Sequence, residues 1–245
     1  MKFFLLSLLF YLTLVPTQAA SYRVGVEDIS YYPIMDFSQA DGRGLMKDIL
    51  QTFADSEGIA LEFIPLPISR FSTWFDDGAI DLRLPDNPLW SSEQDDALIY
   101  SAPILSICQS TVVLAKNRDH QQEQVKTVGT LQGFTPSRHW DALLRDNKVK
   151  LVSDPSLRVL TRMLFNDMID ALDLHISAIE HQASLLGLAT EELAQLKSLP
   201  AFPLTYRLST KAHPELISRF NRFLTNQRKA IDALTVHYAF DEGCH

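Results

Sequence analysis

The chain has 245 residues, 46% of them hydrophobic and 21% charged, with a formal net charge of −8. That is the balance of a globular chain with enough apolar surface to bury a core. Its dispersed lysines and arginines do not form the basic stripe that a phosphate backbone requires, so nucleic acid is not an expected partner.

The first residues read as a leader. Lys2 is a minimal positive start, Phe3 to Val15 is almost wholly apolar, and Pro16 breaks the run. At about 13 residues the run is shorter than the roughly 20 needed to span a bilayer. Thr17-Gln18-Ala19 supplies small residues at a cleavage site, so residues 1–19 are predicted to be a signal peptide removed on export. No cysteine sits there to carry a lipid anchor. The two cysteines, Cys108 and Cys244, could pair in an oxidising compartment or stay apart as one buried and one loose thiol, and both readings stay open.

Tyr22 to Glu27 alternates like a strand. The periodicity of Leu45, Met46, Ile49, Leu50 and Phe53 predicts a helix from Gly44, closed at Gly58. Leu61 to Pro65 is a second strand, Ser69 opens a short helix bearing Phe71, Trp74 and Phe75, and Ile80 to Leu82 is a third strand. Such alternation predicts a parallel sheet with helical crossovers. Pro85 to Asp96 breaks the pattern as a loop, and Leu98 to Tyr100 and Ser110 to Ala115 are extended again.

A second alternation follows the polar stretch Lys116 to Lys126. Thr127 to Leu131, Leu151 to Ser153 and Ala171 to Leu174 are predicted strands. Helices are predicted from Thr135-Pro136 to Arg145, from Asp154-Pro155, and from Ser177. Leu204 to Leu208 returns to strand, and helices follow over Pro214 to Gln227 and Ala230 to Tyr238. Two such units predict two α/β lobes.

Several short motifs occur in order along this plan. Tyr31-Tyr32-Pro33 follows the first strand, Gly44 precedes Asp48-Ile49-Leu50 in the helix, and Gly78-Ala79-Ile80-Asp81 and Ser101-Ala102-Pro103 close the first unit. Val128-Gly129-Thr130-Leu131-Gln132-Gly133, Met168-Ile169-Asp170-Ala171 and Lys211-Ala212-His213-Pro214-Glu215-Leu216 follow. Together they resemble the family 3 periplasmic solute-binding proteins of ABC transporters, whose usual ligands are polar amino acids. The resemblance spans roughly Tyr22 to Tyr238. It implies the type II periplasmic-binding fold, with residues 20–106 plus 204–245 as lobe 1, residues 107–203 as lobe 2, and a two-segment hinge near Pro103 to Ser110 and Phe202 to Tyr206. It also implies a periplasmic monomer without cofactor, which closes on a small-molecule solute and serves a membrane permease or receptor.

By position, the resemblance makes Asp28 the acid ending the first strand and Tyr31 the aromatic wall. The arginine that grips an α-carboxylate in amino-acid binders falls instead on Glu93 or Gln94. The acid for the α-ammonium falls near His175, with Asp173 taking its place only if the register slips by two. Without both counter-charges an ordinary zwitterionic amino acid should bind poorly, because a buried charge needs a partner.

Other candidates come from the residues themselves. Arg83 ends the third strand, where open parallel sheets put ligand sites, and could clamp a carboxylate or pair with Asp81 or Asp86. Arg70 precedes the aromatic helix, either facing the cleft or solvated. Tyr31, Tyr32 and Trp90 offer stacking faces, and Asp86 and Asn87 offer polar contacts or ordinary turns. Gln132, Gly133 and Thr135 open a predicted helix whose free N–H groups suit an anion. His175 is either a ligand contact or an interior histidine, and its spacing of six from His181 does not support a metal site. No Gly-x-Ser-x-Gly, His-Glu-x-x-His or Walker loop occurs. The expected function is non-catalytic capture of a small polar or anionic solute. The alternatives are a cyclic-acid dehydratase on the same scaffold, using Asp28, Glu93 or His175, and a sensory module for a membrane receptor.

Overall fold

A computed structural model describes residues 20–39, 41–76, 78–90 and 97–244. The predicted leader, Glu93 and Gln94 lie outside these described residues.

Strand β1 (Ser21–Glu27) leads into a small hairpin of β2 (Ser30–Tyr31) and β3 (Met35–Asp36). Helix α1 (Leu45–Glu57) buries Leu45, Met46, Ile49, Leu50, Phe53 and Ala54, the face its periodicity predicts, and Gly58 caps its end. Strand β4 (Ala60–Leu66) pairs parallel with β1. The predicted aromatic helix is a short 3-10 helix, Ile68–Thr73. The third strand, β5 (Leu82–Asp86), starts later than expected and takes in Pro85 and Asp86, which the sequence places in a loop. Pro85 is tolerated because the parallel ladder to β1 ends at Leu84 and, on the other edge, Pro85 falls in the register shift between the Arg83 and Asp86 rungs to the strand Phe202–Thr210.

After β6 (Ile99–Tyr100), β7 runs unbroken over Leu105–Leu114. The second alternation is β8 (Thr127–Leu131), α2 (Asp141–Arg145), β9 (Lys150–Asp154), α3 (Leu157–Phe165), β10 (Ala171–Leu174), α4 (Ile176–Leu185) and β11 (Leu193–Gln195). The chain returns through β12 (Phe202–Thr210) and ends with α5 (Pro214–Asn226) and α6 (Arg228–His237). The helix predicted from Thr135 begins only at Asp141, after a 3-10 turn over Arg138–Trp140. Its would-be first turn is held as a loop because Ser137 gives both its N–H and its hydroxyl to the Asp173 carboxylate. Helix α4 is capped by His175, whose Nδ1 accepts from the Ser177 N–H, and not by Ser177 itself.

The main sheet runs β4-β1-β5-β12-β7-β10-β8-β9. Strands β4, β1, β5 and the outer part of β12 belong to one α/β half, and β10, β8, β9 and the outer part of β7 to the other. The halves meet where β12 and β7 pair antiparallel, Phe202 to Tyr206 against Gln109 to Leu105. These are two α/β lobes with a two-segment hinge, and the cleft between them lies along the hinge strands.

The Cys108–Cys244 pair forms a disulfide, with Cα atoms 5.1 Å apart. Of the two readings open in the sequence, the structure takes the bridged one.

Candidate functional site

A cavity of about 460 Å³ opens between the halves. Its floor is the hinge itself: Ile107 and Gln109 of β7, with Phe202, Leu204 and Tyr206 of β12. Glu27, Tyr31, Ile68, Phe71 and Trp90 form the first wall, and Gly133 to Arg138 the second. A carboxyl and several aromatic faces therefore share one small space. Trp90 meets Phe71 and Tyr206 edge-on, with ring centroids 5.9 and 5.8 Å apart, so three rings make a continuous apolar corner.

Glu27 is the chemical centre of this space. It ends β1, is only 3% exposed, and its Oε2 has no hydrogen-bond partner among the described residues. Burial first, and the negative charge of Asp86 second, push its pKa up to about 8, so at neutral pH it is mostly protonated. The buried hydroxyls of Tyr31 and Tyr206 are likewise pushed up by burial.

The sequence-predicted residues divide. Tyr31, Trp90, Gly133 and Thr135 line the cavity. Asp28, one residue past the strand end, is exposed and outside the lining, and Glu27 holds the inward place. Arg70 is exposed and also outside it. Arg83 does not reach the cavity. It is fully buried, with Nη2 2.6 Å and Nε 2.7 Å from Asp86 Oδ2, and Nη1 donates to the Phe71 carbonyl at 3.0 Å. Its guanidinium also lies 4.0 Å from the centre of the Phe71 ring. Its charge is spent on Asp86, one of the partners the sequence leaves open, and the pair fixes the aromatic wall from behind. Asn87 is buried too: Nδ2 donates to the Thr205 carbonyl and Oδ1 accepts from the Leu89 N–H, which sets the turn carrying Trp90. Gln132 gives its N–H to the Asp154 carbonyl and stays outside the lining.

Asp173 and His175 lie behind the second wall. Asp173 accepts from Ser137 and from Gln109 Nε2, and burial raises its pKa against those hydrogen bonds. It anchors the loop that lines the cleft. The His175 backbone N–H donates to the Tyr31 hydroxyl at 2.7 Å, across the gap between halves. Its ring faces away, with Nε2 3.1 Å from the Glu242 carbonyl, and burial lowers its pKa. Gln182 Nε2 reaches Ser30 Oγ at 3.3 Å, and the Tyr32 ring lies 4.4 Å from His181, so the halves touch at several points around the cavity. Gly133 marks a close approach: at φ +95, a Cβ there would lie 2.7 Å from an Ile68 side-chain carbon.

Glu27, Gln109, Ser137 and Arg138 were not singled out from the sequence. For Glu27 a signal existed, since ligands collect beyond the C-terminal ends of parallel strands and it is the last residue of β1. For Arg138, the one cation among the lining residues, no local pattern distinguished it from a solvated arginine.

Neither a protein-family model nor a curated protein sequence matches the chain. Solved structures do. An ancestral arginine-binding protein bound to arginine superposes with a TM-score of 0.70 at 18% identity, covering 89% of this chain and 98% of that one. The fold is that of the type II periplasmic binding proteins. A substrate-binding protein of an ABC uptake transporter from Streptococcus pneumoniae, with bound histidine, shares this binding-protein fold with a TM-score of 0.70, at 15% identity over 91% of this chain and 94% of that one. So does an ancestral amino-acid-binding protein described as a precursor of cyclohexadienyl dehydratase, with a TM-score of 0.69 at 18% identity over 89% and 95% of the two chains. The cavity described above lies between the two lobes of the binding-protein fold. Among the described residues no helix is long and apolar enough to cross a membrane, and no three histidine, cysteine or carboxylate side chains cluster to hold a metal ion.

Proposed function

We propose that the chain is an extracytoplasmic solute-binding protein that closes on a small polar solute and presents it, unreacted, to a membrane permease. The observation that carries this reading is the unpartnered Glu27 oxygen inside an aromatic-walled cavity between two hinged lobes. A buried carboxyl without a partner costs free energy that a ligand donor would recover. The solute that fits best therefore brings an N–H donor or ammonium to Glu27 and a flat or apolar body to Phe71, Trp90 and Tyr206. An acidic group on its other end would meet Arg138. A purely anionic solute would have Arg138 alone to meet, because Arg83 is neutralised outside the cavity.

The test is a thermal-shift screen over flat amines, amino acids, polyamines, organic acids and sugars. A ligand at a hundred times its Kd should add about 2.7 kcal/mol to the folded state. Amine-bearing solutes should raise the melting temperature, and Glu27→Gln should abolish that rise. Stabilisation by organic acids alone would overturn the ligand chemistry, and no stabilisation by any class would overturn solute capture.

A dehydratase reading rests on the same carboxyl. A protonated Glu27 could donate to a leaving hydroxyl as a general acid. Product formation from a cyclic hydroxy acid, lost in Glu27→Gln, would establish it, whereas saturable binding without product excludes it.

A further inference from the structure

We propose that the C-terminal tail is a strap between the two lobes, buckled by the Cys108–Cys244 disulfide, which holds the cleft near its closed geometry until a dithiol reductant releases it. The tail starts on the first lobe. Helix α6 packs against α1, the Tyr238 hydroxyl donates to Asp48 Oδ2 at 2.6 Å, and the Phe240 N–H is tied to the Thr235 carbonyl at the helix end.

It finishes on the second lobe and the hinge. The Phe240 ring stacks on His175 with centroids 5.6 Å apart. The Glu242 carbonyl lies 2.6 Å from the Cys108 N–H and 3.1 Å from His175 Nε2, and Gln195 Nε2 donates to the Gly243 carbonyl at 3.2 Å. Gly243 sits at φ +72 with its would-be Cβ 3.0 Å from His175 Nε2, so glycine is what lets the tail lie this close.

Geometry makes the strap short. The stretch from the first-lobe anchor at the Phe240 N–H to the second-lobe anchor at the Glu242 carbonyl spans three residues, a reach of about 10 Å when fully extended. The halves cannot part further than that without breaking an anchor. The tail also sets His175 from behind while its backbone N–H bonds to Tyr31 across the cleft. With the disulfide in place, any anchor that breaks is held close enough to re-form.

Release is chemically accessible from one side. Cys244 is exposed, whereas Cys108 is 3% exposed. A thiolate of the dithiol attacks Cys244 Sγ, the disulfide breaks, and Cys108 leaves as a thiolate that takes up a proton. The reductant's second thiolate then attacks the reductant sulfur of this mixed disulfide and expels Cys244 as a thiolate that takes up the second proton, so the dithiol ends as its own disulfide, having given two electrons to the cysteine pair.

The inference rests on cleft closure but not on the identity of the solute, since opening is read with none present. Small-angle scattering and amide hydrogen exchange would compare the full oxidised chain, the same chain after dithiothreitol, and Cys244→Ser. The reduced chain and the serine variant should share a larger radius of gyration than the oxidised chain, and the His175 amide should exchange at least tenfold faster in both. Superimposable scattering with less than a tenfold change in exchange would overturn the strap. Should Cys244→Ser fail to fold, the dithiothreitol arm decides alone, checked by a cooperative melt of the reduced chain. Failure of the solute screen together with redox-dependent opening would sink the proposed function and leave the strap standing.

Discussion

Replacing Glu27 by glutamine tests the electrostatics of the cleft independently of any ligand. The folded chain holds a proton on this carboxyl up to about pH 8, against an ordinary value of 4.5. Between those two points the native state keeps a proton that the unfolded chain releases. The resulting stability is fully present below pH 4.5 and is lost as pH rises through about 8. The loss is about 1.4 kcal/mol per pH unit, or roughly 3 kcal/mol by pH 7. Glutamine is nearly isosteric with the protonated acid and does not titrate. Its unpaired N–H₂ costs about 1–3 kcal/mol, but equally at every pH. The melting temperature of Glu27→Gln relative to the parent chain should therefore climb from pH 5 to pH 8. At about 2–4 °C per kcal/mol for a chain of this size, the climb is roughly 3–5 °C per pH unit. Differential scanning calorimetry on both proteins in matched buffers reads it directly, since all other groups cancel in the difference. A difference that stays constant across the range would show that Glu27 ionises normally in the folded state, and the argument for a ligand donor would go with it.

Arg83→Met should destabilise the fold by about 3–5 kcal/mol in urea denaturation, because it strands Asp86 as a buried, uncompensated charge. A loss below about 1 kcal/mol would return Arg83 to consideration as a ligand clamp. Gly133→Ala should cost about 1–3 kcal/mol from its positive φ and the Ile68 contact, and should weaken solute binding by pushing the second wall from the first. An unchanged melt and affinity would show that this approach is not part of the closed state.

The sheet was legible because its strands are apolar runs bounded by turn residues, and α1 because its buried face repeats at helical spacing. Less legible was whatever depends on which of several available partners the folded chain selects. Thr135-Pro136 has the chemistry of a helix start, yet Asp173, on β10, captures the Ser137 N–H and postpones the helix. Arg83 sits at a strand end where ligands collect, yet Asp86, on the same strand, claims its charge. Glu27 and Asp28 are adjacent acids at one strand end, and Val24 to Glu27 are all buried, so no alternation tells which carboxyl points inward. The strand's end over the cleft decides it, and that is a property of the folded sheet.

The hinge strands do not cross as separate linkers. From Phe202 to Tyr206 each residue of β12 has its rung on β7, so the join is a two-stranded ribbon bonded along its length. Such a ribbon resists swinging but yields to torsion. The mouth should then widen by a twist about the long axis of the ribbon, with most residues shifting little and the far rims shifting most. Pro203, opposite Cys108, costs the ribbon no hydrogen bond, because the Cys108 N–H turns away to the Glu242 carbonyl and that pair is a non-bonded one.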